Sequence, residues 1–336
     1  MFFLFAGKAY ATFSLLFGFS FYIQFHNAEK RGTDFRGRFA WRMCLLFLFA
    51  QLHALFYNGD ILLLYAVVGF ALIPVCKLKD KTVFWIAAIL LLQPYEWGRA
   101  IYAMINSEYV PSTGHFIPYF ELAQEVTSNG SFFEVLRSNI TDGQMYSNIW
   151  QVENGRLFQT AALFMFGMLL GRRKYFMKSE ESLRFWKKML TGAILAFIPL
   201  YCLKTFIPAL ITNPSIMVPY KIAVPSYANF AFMVILVSVF TLLWFKKDTG
   251  YNWQSLLIPY GRMSLTNYIS QSVLGGIIYF PFGFYLAPYC GYTLSLIIGI
   301  ILFLAQVRFC KWWLSKHKQG PLETIWHKWT WIGTKK

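Results

Sequence analysis

Three ionisable side chains interrupt a stretch that is otherwise apolar: Arg42, His53 and Asp60, within residues 42–76. Ionisable groups are unfavourable in hydrocarbon, so those found there usually pair, line a wet cavity or take part in chemistry. Arg42 and His53 are eleven residues apart, which places them on one face of a helix, about 16 Å from each other. Asp60 follows just past a turn. The spacing predicts a polar track and a first candidate site.

Two interpretations of His53 and Asp60 remain open at the level of sequence. In the structural one, Asp60 caps backbone N–H groups at the start of the next helix, and His53 makes an interhelical hydrogen bond. In the catalytic one, His53 is a general base held by Asp60 and acting on a hydroxyl group, with Arg42 as a charge anchor. Asn58 and Gly59 are predicted to form the tight turn between the two helices.

The composition predicts an all-α polytopic membrane protein surrounded by a lipid bilayer. The chain has 336 residues, is 57% hydrophobic and carries 35 Phe, and several apolar runs approach the ~20 residues that cross a bilayer. Its net charge is +16, but the basic residues fall in connections on one side of the membrane, so we expect no nucleic-acid partner. The five cysteines are scattered without CxxC pairs, and we expect no metal.

Nine apolar segments are predicted to span the membrane, at residues 7–25, 39–57, 60–76, 82–105, 157–171, 189–211, 224–245, 264–287 and 289–309. Basic connections alternate with connections that carry few cations, which predicts an N-terminus outside and a C-terminus in the cytoplasm. The predicted organisation is four spans in 1–105, an extracytoplasmic loop with short amphipathic helices in 106–156, five spans in 157–309 and an interfacial tail in 310–336.

A second polar constellation is QPYEWGR, residues 93–99. Glu96 and Arg99 are three residues apart and are predicted to form a helix ion pair. Binding of a polar substrate is the alternative. Pro94 and Gly98 are predicted to break the helix at this point.

A third constellation is GRMSLTNYISQS, residues 261–272. Arg262 is expected at the membrane surface, and Ser264 is expected to cap the helix. Further polar side chains then enter the membrane: Thr266, Asn267, Ser270 and Gln271. They either form interhelical hydrogen bonds or line a path for a cofactor tail or a solute. Because the strand-turn-helix context of a serine nucleophile is absent, neither Ser264 nor Ser272 is interpreted as one.

Several motifs occur together in a characteristic order: FSLLFGFSF (13–21), RMCLLFLFAQLHALFYNGDILLLYAVVG (42–69), ALFMFGMLLGR (162–172), GRMSLTNYISQS (261–272) and GPLETIW (320–326). Their combination resembles the YeiB-like bacterial membrane proteins, the domain of unknown function 418 family, over nearly the whole chain. The resemblance implies a multi-pass protein of the bacterial cytoplasmic (inner) membrane. Relatives begin with a helix carrying an aspartate-x-x-arginine-glycine pattern that has no match before residue 13, so we expect this chain to lack that N-terminal region.

That family looks related to transmembrane acyltransferases, in which acyl-CoA binds from the cytoplasm and the acyl group reaches a sugar on the far side. The arginine-x10-histidine spacing of Arg42 and His53 is similar to a motif of the acyltransferase-three branch, which implies a catalytic role for His53. The first hypothesis is therefore acyl transfer from acyl-CoA, as co-substrate, to an extracytoplasmic hydroxylated acceptor such as an envelope glycan or lipid.

In that hypothesis His53, Asp60 and Arg42 are catalytic. The predicted substrate-binding residues are Glu96, Arg99, Arg262, Ser264, Thr266, Asn267 and Gln271. Two alternatives stay open: a transporter or exporter of a small molecule, and a non-catalytic membrane scaffold. The sequence does not predict the oligomeric state.

Overall fold

The computed structural model describes residues 6–106, 108–246 and 253–333, and every regular element within them is helical. In chain order the helices are α1 (Ala9–Glu29), α2 (Arg36–Ala54), α3 (Leu62–Gly69), α4 (Leu72–Val75), α5 (Asp80–Leu91), α6 (Pro94–Ile105), α7 (Ile117–Asn129), α8 (Phe132–Ser138), α9 (Gln144–Glu153), α10 (Arg156–Arg172), α11 (Glu180–Phe206), α12 (Pro214–Phe245), α13 (Trp253–Arg262), α14 (Ser264–Tyr279), α15 (Tyr292–Lys316) and α16 (Pro321–Thr330). A π turn, Asn139–Gly143, joins α8 to α9.

Three of these segments are long and apolar enough to cross a membrane, judged by length and composition: Glu180–Ala209, Pro214–Phe245 and Tyr292–Lys316. In Glu180–Ala209 only 6% of the most apolar stretch is buried within the protein. Its hydrophobic side chains therefore face outward, as expected of a helix surrounded by lipid.

Two predicted spans are broken in the structure. The segment 60–76 becomes α3 and α4, and the segment 82–105 becomes α5 and α6. The second break falls at Gln93, which has a left-handed backbone with φ of 54°. Pro94 then begins α6, where its missing N–H is tolerated. The predicted break at Gly98 is wrong, because this restart leaves Gly98 inside a continuous helix.

The short helices predicted between the two halves of the chain are confirmed as α7 and α8. The start of α8 is a capping box in which Ser131 and Glu134 satisfy each other's backbone N–H groups. The Ser131 hydroxyl and backbone N–H both donate to the Glu134 carboxylate, and these two hydrogen bonds hold the pKa of that carboxyl below its usual range. The local sequence therefore specifies where this helix begins.

The chain forms two compact units, each assembled from separate stretches. The first unit comprises Met1–Met43, Leu64–His115 and Ile149–Lys247, and the second comprises Cys44–Leu63, Phe116–Asn148 and Asp248–Lys336. These units follow packing, whereas the four-part division of the sequence follows membrane topology and stays a prediction.

The core of the first unit depends on the close approach of α1 and α10. A Cβ atom added at Gly18 would lie 1.9 Å from the carbonyl oxygen of Phe164, and one added at Gly167 would lie 1.9 Å from that of Leu15. Aromatic rings fill the space beside this contact, with Phe17 stacked on Phe164 at a centroid distance of 4.5 Å. Small residues let the two backbones touch, as is common between membrane helices.

In the second unit, α13 packs on α15 and α14 packs on α16. The second half of α2, from Cys44 onward, the turn that follows it and residues 116–148 belong to the same unit. Phe49 of α2 packs against the rings of Trp326 and Trp329 of α16, at centroid distances of 5.5 Å and 6.0 Å. The α16 helix is thereby held against the end of α2.

The Gly167→Ala variant tests the contact between α1 and α10. We expect it to lose about 1–3 kcal/mol of stability, because a methyl group there forces two helix backbones apart. The matched control is Gly192→Ala in α11, where an added Cβ meets nothing within 4 Å. Thermal unfolding in detergent should show a lower Tm for Gly167→Ala and an unchanged or higher Tm for the control. Equal Tm values for both variants would contradict this packing.

Candidate functional site

His53 lies in the last turn of α2, and its side chain is fully buried, with 0% exposure. Both ring nitrogens have polar partners in the second unit. Nδ1 is 2.7 Å from Oδ1 of Asp60, and Nε2 is 2.7 Å from Oγ of Ser272. The two distances are those of good hydrogen bonds. The result is a continuous chain of hydrogen bonds from Asp60 through His53 to Ser272.

Asp60 is fixed by the start of α3. Its Oδ1 accepts from the backbone N–H of Leu62 at 3.1 Å, and its Oδ2 accepts from that of Leu63 at 3.2 Å. The predicted role of Asp60 as a helix cap is thus confirmed. In a neutral imidazole that donates its Nδ1–H to the Asp60 carboxylate, Nε2 is the acceptor for the Ser272 hydroxyl. The cap and the contact with histidine use the same carboxylate.

Ser272 is the site residue that the sequence interpretation missed. It lies in α14, where a serine commonly donates to the carbonyl four residues before it. That carbonyl, of Tyr268, is 3.5 Å from Oγ, whereas His53 Nε2 is only 2.7 Å away. The main hydrogen bond of the Ser272 hydroxyl is therefore the one to His53. The exclusion of Ser272 relied on the missing strand-turn-helix context, but a serine on a helix face that meets a buried histidine needs no such turn.

Tyr268 shares this helix face with Ser272, four residues apart. Its ring centroid is 4.8 Å from that of His53, and its hydroxyl is 3.4 Å from Oδ1 of Asp60. The two rings are tilted by 41°, and the Asp60–His53 contact beside them is buried. The i,i+4 pair of Tyr268 and Ser272 is the sequence signal that could have located this face.

The loop region predicted to lie outside the membrane positions the turn between His53 and Asp60. The Asn139 amide, in the π turn, donates to the carbonyl oxygen of Leu55 at 2.9 Å. The Ser147 hydroxyl, in α9, donates to the backbone carbonyl of Asp60 at 3.4 Å. These contacts connect both ends of the turn to the segment 139–147. Sequence alone gave no reason to connect this segment with His53.

The polar residues of the third constellation bind neighbouring helices. The Asn267 amide donates to the carbonyl of Tyr260 in α13 at 3.0 Å. The Gln271 amide donates to Oε1 of Gln306 in α15 at 2.8 Å, and the Gln306 amide donates to the Ser270 hydroxyl at 3.0 Å. This is the interhelical hydrogen bonding that was one of the two interpretations. It connects the helix that carries Ser272 to α13 and α15.

The start of α14 is capped differently from the prediction. The helix begins at Ser264 itself, which is exposed, and the side chain that binds its first turn is Glu323 of α16. Glu323 accepts from the backbone N–H of Thr266 at 3.0 Å and from its hydroxyl at 2.5 Å. Ser264 therefore does not act as the cap, because the glutamate of the GPLE motif takes that place. Arg262 donates to the carbonyl of Lys318 at 2.8 Å.

The remaining predicted residues belong to the first unit. Glu96 is 1% exposed and lies 3.3 Å from Nη1 of Arg99, so the predicted ion pair is confirmed. Arg99 also donates to the carbonyl of Ser112 at 3.2 Å. Arg42 lies in the part of α2 that belongs to this unit. The structure thus pairs His53 with Asp60 in the second unit and Glu96 with Arg99 in the first.

The fold and the site define a helical protein with membrane-length helices and a hydrogen-bond chain from Asp60 through the buried His53 to Ser272. Residues 170–333 match the model of the family described as "Protein of unknown function (DUF418)". This confirms the resemblance read from the motifs over that range. The matched range contains Ser272.

Two curated bacterial proteins resemble the chain over most of its length. The uncharacterized protein YxaH of Bacillus subtilis (strain 168) is 25% identical over 339 residues, covering 97% of this chain and 79% of that protein. An uncharacterized 39.9 kDa protein in the amylase 3' region of Bacillus acidopullulyticus is 25% identical over 331 residues, covering 98% of this chain and 82% of that protein. Neither description names an activity. No solved structure matches the chain.

The Glu323→Ala variant tests whether the hydrogen bonds between Thr266 of α14 and Glu323 of α16 hold the two helices together. We expect α16 to detach more often, because the variant removes a charge-assisted cap of the helix that carries Ser272. Hydrogen exchange measured by mass spectrometry should accelerate in the peptides covering 264–268 and 321–330. Glu121→Ala, an exposed glutamate of α7 in the same unit, is the control and should leave both peptides unchanged. Unaltered hydrogen exchange in Glu323→Ala would show that the hydrogen bonds to Glu323 do not hold α16 in place.

Proposed function

We propose that this chain is a membrane acyltransferase in which Ser272 is the nucleophile, His53 the general base and Asp60 the residue that orients the histidine. The observation that carries the proposal is the pair of 2.7 Å contacts made by the two nitrogens of His53. A nucleophile bonded to a base, with the base oriented by a third group, is the arrangement that activates serine on many unrelated folds.

In the first half-reaction, Oγ of Ser272 attacks the carbonyl carbon of an acyl thioester, and His53 Nε2 takes the hydroxyl proton. The carbon–sulfur bond then breaks. His53 gives the proton to the departing sulfur, and CoA leaves as a thiol. The acyl group is now an ester on Ser272. Asp60 stabilises the imidazolium formed during this exchange, because its carboxylate lies 2.7 Å from Nδ1.

In the second half-reaction, a hydroxyl group of the acceptor attacks the ester carbonyl and passes its proton to His53. The ester bond to Oγ breaks, and the serine recovers the proton. No oxidant, metal or further co-reactant is needed for either step. Ser272 is partly exposed whereas His53 is fully buried. A substrate would therefore contact the serine first, and the histidine would remain shielded from water.

We propose nine spans with the N-terminus outside and the C-terminus in the cytoplasm of a bacterial inner membrane, acyl-CoA as the donor, and an envelope glycan or lipid as the acceptor. The exposed guanidinium of Arg262 is a candidate contact for the CoA phosphates, since it keeps donors beyond the one bound to Lys318.

Turnover by variants in nanodiscs tests the proposal. Purified protein receives acyl-CoA and an envelope extract, and free thiol is measured. We expect His53→Ala and Ser272→Ala each to lower the rate by ~10²-fold or more, because base and nucleophile act as a unit. Ser315→Ala is the control, since this exposed serine donates to a carbonyl of its own helix, and it should keep the full rate.

Three results would count against the proposal. Full turnover in Ser272→Ala would show that the hydroxyl only satisfies the histidine and that the acceptor is activated directly. Absence of thiol release, together with altered uptake of solutes into vesicles by His53→Ala, would favour a transporter. A lower Tm for that variant with neither activity would indicate a scaffold.

A further inference from the structure

A cavity in the first unit has a polar lining with charge of one sign. Its volume is about 500 Å³, and it is lined by Ala6, Gly7, Lys8, Arg156, Tyr201, Lys204, Thr205 and Asn229. These residues come from four places in the chain: the start of α1, the start of α10, the end of α11 and the middle of α12. The volume lies within the range of small-molecule sites, which is roughly 300–1,000 Å³.

The charge of the lining is what makes the cavity unusual. Lys8, Arg156 and Lys204 contribute three positive groups, and none of the eight described lining residues is acidic. Lys8 is only 6% exposed, so its ammonium group is largely shielded from water. Positive groups gathered around one partly enclosed space repel each other, and an anion placed among them would remove that repulsion.

Aromatic rings lie beside two of the three cations, Lys8 and Arg156. The Arg156 guanidinium lies 4.0 Å from the ring centroid of Tyr10 and 5.3 Å from that of Trp150, and it donates to Oε1 of Gln159 at 3.3 Å. The Lys8 ammonium lies 5.5 Å from the ring centroid of Phe232. Aromatic faces orient these cations. A guanidinium group carries five N–H donors in a planar fork, which suits it to bidentate binding of a phosphate.

We propose that this cavity binds the phosphate group of a phosphate-bearing ligand, with Lys8, Arg156 and Lys204 as the binding cations and Thr205 and Asn229 as polar contacts. The volume exceeds that of phosphate alone, so the ligand carries a further portion that packs against Tyr201. The ligand is either a soluble phosphate ester or the headgroup of an anionic phospholipid. The proposal does not depend on the role of His53, because all of these residues belong to the first unit.

The backbone beside the cavity is also specialised. Gly7 has φ of +76°, and a Cβ atom added there would lie 2.6 Å from the Asn229 amide nitrogen. Only glycine combines that backbone conformation with so close an approach. Gly7 therefore lets the backbone directly before Lys8 approach Asn229, and the side chains of Lys8 and Asn229 line the same cavity.

Binding by the full chain in phosphatidylcholine nanodiscs tests the proposal in two arms. Glycerol 3-phosphate, titrated calorimetrically, is the soluble probe, and phosphatidylglycerol, counted by native mass spectrometry, is the lipid probe. We expect saturable binding of one probe at a single site. Lys204→Gln should weaken it about ten-fold or more, since it removes a charge-assisted contact. Lys221→Gln, which removes an exposed charge in the same unit, is the matched control and should not weaken it.

The arm that binds identifies the source of the phosphate. Lys8→Gln should give the same loss as Lys204→Gln. A thermal unfolding curve is recorded for each variant, and the comparison uses Lys204→Gln alone if Lys8→Gln does not fold. Absence of saturable binding in both arms would overturn the proposal. Equal weakening by Lys221→Gln would also overturn it, because binding would then follow the general charge of the protein.

Discussion

The rest of the second unit depends on one physical requirement: both nitrogens of the fully buried His53 must be hydrogen-bonded. An unpaired polar group in such surroundings is costly, at roughly 1–3 kcal/mol. Asp60 and Ser272 meet that requirement at 2.7 Å each. To do so, the turn after α2 must close tightly, α3 must begin next to Asp60, and α14 must present its serine face. The surrounding helices supply those three conditions.

The same requirement explains why so many polar side chains of α14 bind other helices. Asn267 and Gln271 bond this helix to α13 and α15, and Glu323 accepts a hydrogen bond from its first turn. Contacts at three places oppose rotation of this helix and hold Ser272 against His53. Asn267 and Gln271, which the sequence indicates as candidate substrate contacts, therefore also fix the helix that carries Ser272.

Local signals were readable from the sequence, whereas contacts between distant segments were not. The cap by Asp60 and the ion pair of Glu96 with Arg99 follow from spacings of a few residues. Ser272 lies 219 positions from His53, and Asn139 reaches Leu55 across 84 positions, so no local rule brings them together. The helix break predicted at Pro94 occurs directly before it, at the left-handed Gln93, whereas the break predicted at Gly98 is absent.

The most direct test of the central claim asks whether Ser272 is an activated nucleophile, and it needs no knowledge of the substrate. A fluorophosphonate probe reacts with serines whose hydroxyl proton is taken by a neighbouring base. The folded protein is treated with this probe, and its peptides are analysed by mass spectrometry. The account predicts a phosphonylated peptide containing Ser272 that is absent in His53→Ala. An unlabelled Ser272, or equal labelling in His53→Ala, would contradict it.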